Sequence, residues 1–376
     1  MKYAMFVVGA GLCMAASAAS ATGPGTLVQV ANNGLDTGTC GSRAAPCRSI
    51  GRGIERAVAG DTVLVGPGKY GDLNEDGFLG GPGEESGLNN TALRIDKAVR
   101  VVSSAGAALT LIDGGGGSAL FSVVKIDGNN VTFGEVEGGF TLTGAESGLL
   151  TDGYTGVRIV GNIATGMRAQ GFWVNAGGAV SGVNEVSYNI AHGNGGSGIL
   201  AGSLLESSRV IVRHNKSYSN FVGIFSASYG RHEIAYNEVS NNSASGISVD
   251  FAPSLVHHNI VTGNDRGISS NSWSPDRLPS AGPVLYRNSL IGNTRFGIMV
   301  TSGPPVRTVV KENNFYGNGV SSDGFGGNCG LANFTGETLN AVNSYWGAST
   351  GPGAEPADVA CGNDPVTTTP FARTPN

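Results

Sequence analysis

Charge is scarce in this chain. Only 14% of its 376 residues are charged, and the formal net charge is −5. That balance argues against a nucleic-acid partner, whose phosphates demand a basic surface. Long apolar runs are missing too: the one candidate, residues 4–16, is too short to cross a bilayer, and nothing later approaches it. No repeat holds an uninterrupted helical stripe. Cysteine falls to five residues, with no Cys-x-x-Cys spacing and no His pair beside them, so a zinc site is disfavoured. What abounds is glycine, 62 residues, alongside 40% hydrophobic content, enough for tight corners around a continuous core.

The glycines belong to a repeat. Between residues 157 and 318 an aliphatic residue is followed three positions later by Asn, at 162, 189, 215, 237, 259, 288 and 313. Five residues on comes a second Asn (194, 220, 242, 264, 293 and 318, with Met167 in the first copy), then a Gly and a hydrophobic residue. A period of roughly 20–30 residues means a solenoid whose turns cannot bury their apolar faces alone. After each Gly the pattern alternates: Ile247 and Val249 share one face, Ser248 and Asp250 the other. That is strand periodicity, and two Asn plus a Gly per turn would penalise helix. The reading is all-β, a right-handed parallel β-helix with like residues stacked about 4.8 Å apart. The Asn corners are expected to adopt the left-handed conformation and exchange amide hydrogen bonds from coil to coil.

The ends read differently. Residues 1–21, with Lys2, an apolar run and Ala19-Ser20-Ala21, are expected to be a secretory signal, giving a secreted or periplasmic protein. Cys13 lacks the small preceding residue of a lipoprotein signal, since Leu12 stands there. Four cysteines remain, and proximity pairs Cys40 with Cys47 and Cys329 with Cys361. The division is then 22–72 for an N-terminal cap and first strand, 73–340 for the coils, and 341–376 for a closing segment. Residues 72–92 read as a solvated acidic loop. Asp72, Asn74 and Asp76 alternate there as calcium ligands do, but the Gly and closing Glu of an EF-hand loop are displaced, so calcium stays an open alternative.

Aligning repeats on the Gly gives two outward columns. One runs Leu150, Trp173, Leu200, Phe225, Ser248, Ser269, Met299; the other runs Asp152, Asn175, Gly202, Ala227, Asp250, Asn271, Thr301. Apolar Trp173, Leu200 and Phe225 beside Asn and Asp suit a sugar-stacking groove, or else lie under a loop. Arg168, Arg266 and Arg295 precede the Gly and could hold carboxylates of an acidic polysaccharide. The longest insertion follows Asn271 and brings Trp273, Asp276 and Arg277 toward Asp250. With Tyr229 and His232 leaving the previous strand, repeat geometry is expected to gather Asp250, Arg266, Tyr229 and His232 into one patch. Adjacent His257 and His258 are expected on opposite faces, unable to chelate together; His214 and His258 fall in a column with Tyr188 and Tyr236, expected to be a surface stacking ladder.

Three resemblances add to this. Residues 50–58, an amphipathic helix, followed by the strand-and-turn run 60–70, resemble the N-terminal cap of secreted pectate-lyase-like β-helix proteins, which implies a helix covering the first coil. Residues 343–352, with Trp346, resemble the closing motif of secreted bacterial β-helix proteins, which implies that Trp346 plugs the last coil. The coil from Gly246 to Asp250 through Asn264-Asp265-Arg266-Gly267 also resembles the mannuronan epimerases, implying that Asp250 and Arg266 line a catalytic groove. That family's Asp-Pro-His run would fall at Phe225-Ser226-Ala227 and is absent.

Lyases and epimerases of uronic-acid polymers abstract the proton α to a carboxylate, so they need a cation to neutralise it and a base. Arg266, with Arg295 or Arg277, would neutralise; His232 or Tyr229 would move the proton. A hydrolase needs two carboxylates within about 10 Å. Asp152 lies four coils from Asp250, about 19 Å, which leaves Asp250 with Asp276. A non-catalytic glycan-binding or cell-surface role competes with all of these.

Overall fold

The computed structural model describes residues 25–117, 120–203, 205–250, 253–271, 282–301, 308–320 and 327–376. The insertion residues Trp273, Asp276 and Arg277, and residues 1–24, lie outside them. Three parallel sheets wind along one axis. Sheet A has eleven strands from Leu27–Val30 to Val309–Lys311, sheet B ten from Gly68–Gly71 to Asn314–Tyr316, and sheet C eleven from Thr91–Ile95 to Val359–Gly362. One coil shows the plan: Leu255–His257 in A, Ile260–Thr262 in B, Arg266–Asn271 in C.

Alternation explains the core. Val256, Val261 and Ile268 each point inward from one of these strands and are fully buried. Val212, Ile234, Val256 and Leu285 pair in register up sheet A. Each such side chain contributes about 1.5–3 kcal/mol, and each lies against its copy one coil away. Ile247 and Val249 are buried as expected, while Asp250 faces outward and is half-buried.

Both Asn columns are buried ladders. Asn215 N and Nδ2 donate to Asn237 Oδ1 at 2.9 and 3.0 Å. Asn237 repeats this on Asn259. The first ladder ends on Ser344 Oγ, the second on Asp358. The left-handed residue is not the Asn but the one before it: Tyr188, His214, Tyr236, His258, Arg287 and Glu312 have φ between 53° and 58°. That reversal turns the chain so that the following Asn points into the solenoid, where its N–H meets the next carboxamide.

Helix α1 (Ile50–Arg56) buries Ile50, Gly53 and Ile54. A Cβ on Gly53 would stand 2.5 Å from Val30 Cγ2, so only glycine lets the helix approach the first strand. Ser49 caps it, and Glu85 Oε1 and Oε2 accept from Ile50 N and Gly51 N at 2.7 and 2.9 Å. The acidic run 72–92 is therefore not simply solvated. Asp72, Glu84 and Glu85 are buried, and Asp72 accepts from Glu75 N and Gly77 N while Glu84 accepts from Leu73 N and Gly81 N. Orphan N–H groups of irregular backbone need such acceptors.

Cys40 is bonded to Cys47 and Cys329 to Cys361, with Cα separations of 4.9 and 5.8 Å. Trp346 is fully buried and stacks on Phe315 at 4.7 Å. Among the described residues no helix is long and apolar enough to cross a membrane.

Candidate functional site

The outer face of sheet C carries both columns in register. Leu150, Trp173, Leu200, Phe225, Ser248, Ser269 and Met299 are partners strand by strand. Asp152, Asn175, Gly202, Ala227, Asp250 and Asn271 are likewise. Trp173, Leu200 and Phe225 are half-buried, and the Trp173 ring leans on that of Phe121 at 6.2 Å.

At Asp250 the face becomes polar. Asp250 Oδ1 accepts from Asn271 Nδ2 at 2.9 Å and from Ser248 Oγ at 3.2 Å. Asn271 Oδ1 accepts from Thr301 Oγ1 at 2.8 Å. In the other direction Ser269 Oγ donates to Ser248 Oγ at 3.1 Å and lies 2.9 Å from Ser245 Oγ. A chain of hydroxyls thus crosses the face from Ser245 to Asp250. Burial pushes the Asp250 carboxyl above its usual range, against the Asn271 and Ser248 bonds that favour its ionised form.

The expected four-residue patch does not assemble. Arg266 is the register partner of Ser245, and Asn271 that of Asp250. Five residues of strand, about 16 Å, therefore separate Arg266 from Asp250 along the face. Arg266 instead flanks Asp265, 3.6 Å from Nε, with Arg295 3.7 Å away on the other carboxylate oxygen. His232 is fully buried. It stands just before the sheet A strand Glu233–Ala235, two residues before the inward Ile234: Nδ1 accepts from Val210 N at 3.0 Å, and Nε2 donates to Ala227 O at 3.2 Å. Burial holds its pKa down to about 4. Asn184 does the same job two coils earlier, accepting from Val157 N. His232 is a backbone acceptor inside the core and cannot reach a sugar. Tyr229 is half-buried beside Ser228, whose φ is 70°. Arg168 is tied to Glu146 and to the Gly116 and Leu120 carbonyls.

A second charged group escaped the repeat pattern. Ile95, Ile126 and Thr151 are register partners, so Asp96, Asp127 and Asp152 occupy one position on three successive coils. Arg94 and Lys125 fill the neighbouring column, with Arg94 Nε 2.7 Å and Lys125 Nζ 3.3 Å from Asp127. Asn175 Nδ2 donates to Asp152 Oδ1 at 3.1 Å. The signal was present as Arg94-Ile95-Asp96 and Lys125-Ile126-Asp127, but those coils lack the Asn-Gly frame that anchors the alignment.

On the opposite flank, Tyr188, His214, Tyr236 and His258 form the expected stack, with centroids 5.0–5.4 Å apart. His257 and His258 do not part to opposite faces. Their Nδ1 atoms lie 2.8 Å apart, because the left-handed turn at His258 swings its ring back beside its neighbour.

Residues 111–277 match the family model described as right handed beta helix region. All three sheets continue beyond that stretch in both directions. The class is the right-handed parallel β-helix. Against the curated proteins the sequence finds no match. Among solved structures, the Dettilon tailspike protein gp208 has a TM-score of 0.48 at 16% identity, over 78% of this chain and 56% of that one. Pectate lyase Pel9A gives 0.45 at 16%, over 93% and 79%. The A-module of the Azotobacter vinelandii mannuronan C-5 epimerase AlgE6 gives 0.48 at 15%, over 83% and 86%.

Proposed function

We propose that this protein is exported and acts on an acidic polysaccharide laid lengthwise along the outer face of sheet C, with Asp250 as the proton-transfer group of a lyase- or epimerase-type reaction. The observation that supports this most is Asp250 itself: a half-buried carboxylate in the middle of the face, oriented by two hydrogen bonds. A proton held above its usual range suits exchange with a carbon acid. Trp173 and Phe225 would stack on sugar rings, and Arg266 with Arg295 would hold a carboxylate of the chain from the sheet edge. Arg266 in this reading binds rather than neutralises at the reacting carbon, and Tyr229 takes the remaining acid–base role. Carboxylates are not the whole face, since Arg94 and Lys125 extend it with cations.

The burial of His232 favours the second reading, glycan binding without turnover, because it removes one of the two proton carriers other than Asp250. Incubating the exported protein with a panel of uronic-acid polymers separates them. Unsaturated product seen by ultraviolet absorbance, or an altered ratio of epimers by NMR, supports catalysis. Retention on an immobilised polymer without either change supports binding alone. Neither retention nor turnover across the panel sinks both.

A further inference from the structure

The pair His257–His258 lies on sheet A and its corner, away from the face described above. In this coil alone among the described repeats, the two positions before the first Asn are both imidazoles; elsewhere they are Val160-Gly161, Ser187-Tyr188, Arg213-His214, Ala235-Tyr236, Tyr286-Arg287 and Lys311-Glu312. From the geometry we infer a binding site for a first-row divalent transition metal, chelated by His257 Nδ1 and His258 Nδ1.

Three observations carry it. The two Nδ1 atoms already face each other at 2.8 Å. Both rings are fixed by stacking: His257 lies against Tyr286 at 4.9 Å and His258 against Tyr236 at 5.0 Å, with the two imidazoles at 85° to one another. Behind His257, Glu233 Oε1 stands 3.5 Å from Nε2. A carboxylate there keeps the proton on Nε2, which directs the Nδ1 lone pair toward His258; this is the outer-shell arrangement that orients metal-binding histidines. His257 is buried and His258 half-buried, with the pair at the corner of the solenoid.

The spacing also selects among metals. A cation about 2.0–2.1 Å from each of two nitrogens 2.8 Å apart subtends about 85–90°. That is a cis pair of a tetragonal site rather than a tetrahedral edge, which favours Cu(II) and Ni(II) over Zn(II), in the same sense as the general affinity order. The Nδ1–Nδ1 hydrogen bond holds one proton; when the metal takes both Nδ1 lone pairs, that proton moves to Nε2 of the same ring, so each imidazole carries one proton before and after.

Untagged full-length exported protein titrated with Cu(II) against excess glycine, a weak competing chelator, tests this. The expected result is uptake of one Cu(II) per chain, with a nitrogen-coordinated signal by electron paramagnetic resonance. His258→Asn abolishes that uptake; Asn tolerates the left-handed corner, so the coil is kept, and a thermal melt verifies it. Glu233→Gln weakens binding by roughly 10–100-fold. His214→Asn, in the same ladder two coils away, leaves it unchanged. No stoichiometric uptake by the wild type, or equal uptake by wild type and His258→Asn, overturns the site.

Discussion

Asp358 Oδ2 accepts from Asn318 Nδ2 at 2.7 Å, so a carboxylate stands where the second ladder would place its next carboxamide. Asp358 is fully buried, and desolvation pushes its carboxyl up to about 6, against the Asn318 bonds. The folded pKa lies above the unfolded value of 3.8, so Asp358 supplies stability below pH 4 that is lost as pH rises through 6. The loss is about 2–3 kcal/mol. Asp358→Asn keeps the acceptor and removes the charge. Its melting temperature should exceed wild type at pH 8, with the gap closing near pH 4.

His232 works in the opposite sense. Burial depresses its pKa from 6.5 to about 4, so its contribution is complete above pH 6.5 and is lost as pH falls through 4. His232→Asn should fold, because Asn184 fills the same acceptor role in an earlier coil. Thermal melts from pH 4 to 7 should show a shallower acid-side loss in the variant. An unfolded variant would show that the imidazole's volume, not its acceptor, holds the column.

Asn237→Ala should be severe. It removes the acceptor of Asn215 N and Nδ2 and the donor to Asn259, Val212 and Ala235. Stranded buried polar groups cost about 1–3 kcal/mol each. Denaturant unfolding should show a loss of several kcal/mol, or no folded protein at all.

At the proposed site, Asp250→Asn should leave the melting temperature nearly unchanged, since a carboxamide oxygen still accepts from Asn271 and Ser248. Turnover of a confirmed polymer should fall by about two orders of magnitude or more, the usual share of a positioned acid or base. Trp173→Ala should weaken polymer retention while sparing the reaction at saturating polymer. Full turnover by Asp250→Asn would move the chemistry elsewhere on the face.

The spacing of Asn and Gly made the coils and the sheet C register legible, and the nearness of the cysteines in sequence made the disulfides so. It failed wherever backbone conformation, rather than alternation, sets direction. His232 looked like an edge residue because the corner before it hides where inward alternation restarts. His257 and His258 looked divergent because strand periodicity stops at the left-handed residue. Arg266 and Asp250 share a coil boundary in sequence, yet the strand's length holds them at opposite edges.

Side chain to side chain, both carboxamide ladders have a direction: each Asn donates to the Oδ1 of the C-terminal coil and accepts at its own Oδ1 from the N-terminal one, from Phe140 and Met167 down to Ser344 and Asp358. Such rows behave like a one-way thread, in which any coil with both asparagines can follow any other. Duplicating the 22-residue step from Asn237 to Asn259 should lengthen the rod by one pitch without disturbing its ends. The scaffold is therefore open to growth by tandem duplication within the gene, whereas a fraction of a coil would leave both threads cut.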